Sequence, residues 1–520
     1  MNLLMANMKL LKEKMKTFKL YGPPGTGKTY SLLRRVKKYL AIGVPPTRIG
    51  YFAFTRNAAY NEARDPLLED MSSLQKKDLK YFQTLHSFTF QQLGLRKENV
   101  MQDEHFKAIG ESIGVDIEYA SYEKDSFNGI FTSSSEYLNI VNLAKVKGIS
   151  PLEQFDLNEH LGDIERIKVD IISQEIESYK RVHNLIDFTD MLKQFLDKKD
   201  KDGNPVDLCP KFDVVFIDEA QDLSPVQWDV VRLLQKNSKR LYLAGDDDQA
   251  IFGWAGADVQ SFMNFKAKEK YLRQSRRIPR QIQKKAFEVI ERIQLGRVDK
   301  LYHPKNEEGN IIPQDSLEEI NMREGKWLIL ARTNSLLDTI FPLLKEYGYY
   351  FSSSQGNSLS SSLYRDILDW KKWIKGEPLN FIQAQRICET RIGIKFKEKE
   401  NKPFYIKELL TKYNLGLISW YKAFSKVSPD KCTYIRSMLI NGEKLSKDPR
   451  IRVLTIHGAK GGEEDNVVLF QDQTVNTLEA PDRSLAKYDE EQRVWYVGIT
   501  RTKHSLYLIE AKNDQKEFII

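Results

Sequence analysis

The run FKLYGPPGTGKTYSLLRRVKKYL (18–40) constrains this chain more than any other segment. Its first four residues read as a short strand, Gly22 to Thr29 spell G-x-x-x-x-G-K-T, and the apolar spacing that follows is helical. A turn between strand and helix with this composition has a physical use. Without side chains at Gly22, Gly25 and Gly27, and with Pro23, Pro24 and Thr26 shaping the bend, the main-chain amides can wrap a phosphate chain at a helix N-terminus. Lys28 can then reach the outer phosphates, and the Thr29 hydroxyl can ligate Mg2+. The competing reading is a plain Gly/Pro turn, and the strand before it and helix after it argue against that.

A nucleotide site of this kind needs acidic groups at the end of a neighbouring buried strand, and FDVVFIDEAQD supplies Asp218 and Glu219 after such a run. Asp218 is expected to hold the metal, and Glu219 to accept the proton of an attacking water. Similar apolar runs fall into two clusters. Phe18–Tyr21, Ile49–Phe54, Val214–Ile217 and Leu241–Ala244 make the first. Trp327–Ala331, Val453–Ile456, Val467–Phe470 and Leu506–Ile509 make the second. Runs this continuous are typical of parallel strands covered on both faces, so the expected fold class is α/β with two parallel sheets. Long stretches with helical patterning interrupt each cluster, between His86 and Asp187 and between Asn334 and Thr455. The second contains an amphipathic stretch at Tyr364–Ile374 and the charged run KFKEKENK (395–402). The serine-rich segment Ser352–Ser362 reads equally as a flexible linker or as an ordered loop capping the next helix.

A length of 520 residues calls for at least two cores. Cys209, Cys388 and Cys432 are far apart and lack CxxC or CxxH spacing, which excludes a disulfide framework and a structural zinc site. No stretch has the apolar length of a membrane span and the N-terminal residues lack a secretion-signal pattern, so a cytoplasmic protein with no membrane partner is expected. A net charge of +8 permits nucleic-acid binding without arguing for it in a chain this long.

Ten ordered blocks carry a resemblance: GPPGTGKT (22–29), FAFTRNAA (52–59), TLHSF (84–88), IDFTDML (186–192), IDEAQD (217–222), AGDDDQAIFGWAGAD (244–258), QSRR (274–277), LARTN (330–334), TIHGAKGGEEDNVVL (455–469) and EEQRVWYVGITRTK (490–503). In this order they resemble the superfamily 1 helicases of the UvrD/Rep/PcrA group. The resemblance implies two RecA-like P-loop domains, each with a mainly helical insertion. The first spans 1–90 and 186–280 with its insertion at 91–185; the second spans 281–362 and 448–520 with a reduced insertion at 363–447. It implies an ATP- and Mg2+-dependent DNA helicase acting on single-stranded DNA and on junctions with duplex. Gln249 would sense the γ-phosphate, Arg277 and Arg501 would reach across a domain cleft as arginine fingers, and Glu463 would contact the ribose. Phe252 and Trp254 match aromatics on which bases stack, while Phe54, Thr55, Thr84, His86, Thr455 and His457 sit in blocks that line the DNA groove or couple it to ATP. The GDDDQAIFGWAGA loop resembles the branch that travels three-prime to five-prime.

The chain also departs from the pattern. No glutamine precedes Gln75, so the usual adenine-reading segment ahead of the P-loop has no match, and Arg276 stands where the family has a tyrosine that stacks on adenine. Use of nucleoside triphosphates other than ATP is therefore expected. The short interval between Asn334 and Thr455 keeps a second reading open, an ATP-driven single-strand translocase or protein-clearing factor with little duplex unwinding. The compact form and lysine-rich composition suit a phage-encoded version, which would work in the host cytoplasm.

Overall fold

A computed structural model of the chain describes residues 16–117, 135–158, 164–398, 403–410, 412–413, 416–513 and 516–520. Residues 399–402 of the charged run, and parts of the first insertion, lie outside them. The chain divides into two compact units. One comprises residues up to Asn310 with Glu479–Lys503 and Ile520; the other comprises Ile311–Leu478 and His504–Ile519.

The first unit is built on a sheet of β1 (Lys16–Tyr21), β2 (Ile49–Ala53), β3 (Phe82–Thr84), β4 (Val214–Asp218), β5 (Arg240–Gly245) and β6 (Lys268–Tyr271), in the order β3-β2-β4-β5-β1-β6. Every pairing is parallel. β2 and β4 are buried at every position, which explains their unbroken apolar sequence. The helix Lys28–Ala41 covers the sheet with Leu32, Leu33, Val36 and Tyr39, one stripe at helical spacing, and ends before Gly43, whose φ is +85°. These side chains join Tyr51, Val214 and Phe216 in the main core of the unit. Because the strands run parallel, their C-terminal ends share one edge of the sheet. Register places Tyr21 beside Gly245, and Ala53 beside both Asp218 and Thr84. Sites in open α/β sheets form along such an edge.

Four of these strands match the expected first cluster; β3 and β6 were not foreseen. β3 has three residues, and β6 (KEKY) is an exposed edge strand, so neither shows an apolar run. Between His86 and Asp187 the described residues form helices, with only an isolated bridge from Val100 to Ile186. Those helices hold a core of their own, including Phe106, Ile109, Leu138, Val169 and Ile172.

The second unit carries the sheet β10-β9-β11-β8-β12-β13-β7, formed by β7 (Asn310–Gln314), β8 (Trp327–Ala331), β9 (Phe351–Ser353), β10 (Gly356–Asn357), β11 (Ile451–Thr455), β12 (Glu464–Phe470) and β13 (Thr502–Ile509). Its centre is parallel, β9, β11, β8 and β12 running in one direction. The serine-rich segment is ordered: β9 and β10 form a hairpin, and Ser360 accepts from Leu363 N to cap the helix Ser361–Ile374. Trp370 and Trp373 of that helix centre a separate cluster with Phe404, Trp420 and Met438.

Residues 479–503 group with the first unit, whereas the sequence reading kept 448–520 together; residues 281–310 also group there. The physical cause lies in the helix Leu485–Ile499, which is buried from Glu491 to its end. Asp489 accepts the main-chain N–H groups of Gln294 and Leu295 at 2.8 and 2.7 Å, and Arg493 donates to Asp247 O at 3.0 Å.

Candidate functional site

The turn from β1 into the helix Lys28–Ala41 is held by its own side chains. Thr26 Oγ1 donates to Pro23 O at 2.7 Å and Lys28 Nζ to Gly22 O at 3.0 Å. Two glycines here are sterically required. A Cβ on Gly22 would lie 2.2 Å from Lys28 Cγ; one on Gly25, where φ is +70°, would lie 2.3 Å from Arg277 Cβ and 2.8 Å from Ser275 Oγ. Main chain and side chain of the QSRR segment therefore rest directly on the loop. Ser275 Oγ donates to Pro24 O at 2.8 Å and Arg276 N to Gly25 O at 2.9 Å.

At the end of β4, Asp218 Oδ2 accepts from the hydroxyls of Thr29 and Tyr51, each at 2.7 Å. Burial, with the neighbouring Glu219 charge, raises its pKa, and those two hydroxyls and Lys28 oppose the rise. Glu219 has φ +51°, a left-handed conformation that costs a non-glycine residue about 1–2 kcal/mol and is characteristic of functional turns. Its Oε1 lies 3.5 Å from Lys28 Nζ, and its Oε2 accepts from Gln221 Nε2 at 2.7 Å.

From Gln221 a line of hydrogen bonds continues along the sheet edge. Gln221 Oε1 accepts Asp246 N–H at 3.0 Å, an approach possible because residue 245 is glycine; a Cβ there would sit 2.6 Å from that oxygen. Asp246 Oδ2 accepts from Gln249 Nε2 at 2.7 Å, and Gln249 Oε1 accepts from Arg501 Nη2 at 3.0 Å. Arg501 is almost wholly buried, with Nε donating to Val497 O at 3.0 Å. Arg277 Nη1 reaches Thr500 O at 3.5 Å. Lys300 packs among Asp246, Asp247 and Asp248 at 2.5–3.3 Å, and Arg297 pairs with Asp248 at 2.8 Å. Although burial opposes it, that carboxylate set holds Lys300 above its ordinary pKa.

Glu219, Gln249, Arg277 and Arg501 thus gather with the Gly22–Thr29 loop inside the first unit, although the family pattern assigned the two arginines to the second half of the site. The donor set suits a nucleoside triphosphate with a divalent cation. The glycine cradle leaves no volume for side chains, Lys28 supplies a cation, and Thr29 with Asp218 offers adjacent oxygen ligands.

The DNA-facing candidates divide. Trp254 is 44% exposed, but Phe252 is buried at 2% and stacks on Phe54 with centroids 5.5 Å apart. Thr55 and Thr84 cap helices, accepting from Ala58 N at 3.1 Å and Ser87 N at 3.2 Å. His86 is buried edge-on against Phe188, lining a small cleft with Phe54, Phe252, Thr189 and Asp222. Among the described residues its Nδ1 has no hydrogen-bond partner, and burial pushes its pKa down to about 4. Thr455, His457 and Glu463 belong to the second unit, where Thr455 Oγ1 accepts Gly458 N–H at 3.0 Å and Glu463 O accepts from Arg452.

Sequence reasoning passed over Tyr51, Gln221, Asp246 and Lys300. Gln221 and Asp246 stood inside blocks already singled out, and Tyr51 lies on the strand leading into one of them. Lys300 follows a loop with no pattern of its own.

Residues 6–270 match the family model described as UvrD/REP helicase N-terminal domain, and residues 431–513 match the UvrD-like helicase C-terminal domain. A probable DNA helicase II homolog of Mycoplasma genitalium is 28% identical over 46% of this chain and 34% of its own length. The putative ATP-dependent DNA helicase YjcD of Bacillus subtilis is 22% identical over 64% of this chain and 56% of its own. The ATP-dependent DNA helicase PcrA of Staphylococcus epidermidis is 40% identical over 15% of this chain and 12% of its own. The chain thus spans about a third and just over half of the first two relatives. In the described residues, no helix is long and apolar enough to cross a membrane. A match that runs through the glycine loop, β4 and the β5 loop, over residues 6–270 of 520, makes this chain a member of the UvrD/REP helicase family.

Proposed function

We propose that this chain is an ATP-dependent DNA helicase that moves along single-stranded DNA in the three-prime to five-prime direction. The observation that carries the reading is the continuous line Lys28–Glu219–Gln221–Asp246–Gln249–Arg501, which ties the phosphate loop to a buried arginine through contacts of 2.7–3.5 Å. In this reading the main-chain amides of Gly25, Gly27 and Lys28, with the Lys28 side chain, bind the phosphates, and Thr29 and Asp218 hold Mg2+. When bound, Mg2+ supplies charge neutralisation around the transferring phosphoryl group. Glu219, oriented by Gln221, takes the proton of the attacking water. Gln249, Arg277 and Arg501 bring polar and positive groups toward the γ-phosphate, and Glu463 contacts the ribose.

Coupling to DNA follows from chain proximity. Four residues separate Gln249 from Trp254, so a shift of the sensing glutamine is passed to the exposed tryptophan through a short loop. A strand stacked on Trp254 is gripped without sequence readout, at roughly 1–3 kcal/mol per base. Phe54 and Phe252 back this platform from inside, and Thr55, Thr84, His86, Thr455 and His457 line or support the strand's path. Arg276 lies over the Tyr30 ring at 5.9 Å; stacking on a guanidinium or a ring reads little of a base's edge, which supports use of several nucleoside triphosphates. The test is ATPase activity with and without single-stranded DNA or RNA. Stimulation by DNA is expected; equal or greater stimulation by RNA, or none by either, would overturn the reading.

A further inference from the structure

The helix Leu485–Ile499 touches the loop leaving β5 at three points. Just beyond its C-terminal end Arg501 donates to Gln249; two turns earlier Arg493 donates to Asp247 O; and in its first half Glu490 Oε1 accepts Trp254 N–H at 3.1 Å. From residue 490 to residue 501 a helical path covers about 16 Å. One rigid element therefore contacts the loop at its glutamine and again at its tryptophan.

The tryptophan end is tightly built. A Cβ on Gly253 would lie 2.9 Å from Glu490 Oε1, so the glycine leaves room for the carboxylate to reach the next N–H. On the loop's other side Gly256, with φ +89°, rests on the helix Glu136–Lys147, where a Cβ would meet Val146 Cγ1 at 2.6 Å. Burial and the neighbouring Lys487 charge lower the pKa of Lys147 on that helix, and the Glu490 carboxylate opposes them. The main chain around Trp254 is thus fixed from two sides while its ring stays exposed. Two routes join Gln249 to Trp254: the covalent one through Ala250–Gly253, which ends in a glycine, and the helical one through Glu490.

We infer that Glu490 is a positioning residue: it fastens the Trp254 main chain to the helix that leads to Arg501, so that displacement of this helix during the ATPase cycle reaches the stacking tryptophan. The inference rests on the proposed helicase function. Without the carboxylate, the loop has to be ordered by DNA itself, which weakens binding, and motion at Arg501 is no longer delivered to the strand.

The test uses the full chain, measuring ATPase against single-stranded DNA concentration and strand displacement per ATP. In Glu490→Ala the half-saturating DNA concentration should rise about tenfold, the range of one hydrogen bond to a charged acceptor. The rate at saturating DNA should persist, while duplex released per ATP falls. Glu490→Gln keeps an acceptor oxygen and should restore most of both. Gly253→Ala, whose Cβ displaces the carboxylate, should reproduce the alanine pattern and serves if Glu490→Ala does not fold. Unchanged half-saturation in Glu490→Ala, or Glu490→Gln as impaired as alanine, would overturn the inference alone. A wild-type chain whose ATPase ignores DNA would remove the underlying reading, and the inference with it.

Discussion

Gly25→Ala should disable the phosphate loop by forcing it off the QSRR segment that rests on it. Residue 25 has φ +70°, where an L side chain costs about 1–2 kcal/mol. The added methyl would stand 2.3 Å from Arg277 Cβ and 3.1 Å from Arg277 N, the latter being main chain that cannot swing away. Overpacking of this kind costs typically about 1–3 kcal/mol. Together these terms disfavour the present loop geometry by about 2–5 kcal/mol, which corresponds to a fall in kcat/KM for ATP of roughly thirtyfold to a few thousandfold. Gly43→Ala is the matched control: φ is +85°, but nothing lies within 4 Å of the added methyl, so it carries the strain without the clash and far from the loop. Steady-state ATPase on both variants decides the matter. Gly25→Ala within threefold of wild type, or Gly43→Ala equally damaging, would refute the claim that the QSRR segment rests on the phosphate loop.

Glu219→Gln should retain ATP binding while slowing hydrolysis by roughly 10²–10⁴-fold, the contribution of a positioned base; near-normal single-turnover rates would remove Glu219 from that role. Trp254→Ala should weaken single-strand binding about tenfold or more in an anisotropy titration, and unchanged affinity would make this residue a surface tryptophan with no part in DNA binding. His86 gives a pH dependence. Its folded pKa of about 4 lies below the ordinary 6.5, so the unfolded chain takes up the proton first and stability falls as pH drops from about 6.5 toward 4. The loss approaches about 3 kcal/mol at 1.36 kcal/mol per pH unit. Urea titrations of His86→Gln should show a flatter acid limb than wild type, and identical limbs would contradict the buried neutral imidazole.

The phosphate loop was legible in the sequence because its chemistry is local: glycines, Lys28 and Thr29 lie within eight residues, and a strand and helix flank them. The buried strands were legible for a similar reason, since covering both faces of β2, β4 and β8 leaves an unbroken apolar signature. Short or exposed strands leave none, which is why β3 and β6 escaped notice. The grouping of residues 479–503 with the first unit has a different origin. It is decided by individual polar contacts, Asp489 with Gln294 and Leu295 and Arg493 with Asp247, and no periodicity encodes such partners. Phe252 and Trp254 show the same limit. Two aromatics in one motif look equivalent as letters, but one turns inward onto Phe54 and the other outward to solvent.

The most direct measurement is strand displacement from a duplex carrying a single-stranded tail, run with ATP and Mg2+. The strand should be released when the tail is three-prime, little should be released when it is five-prime, and none with Glu219→Gln. Vigorous DNA-stimulated ATP hydrolysis with no release from either substrate would contradict the helicase reading and leave a strand-clearing translocase in its place.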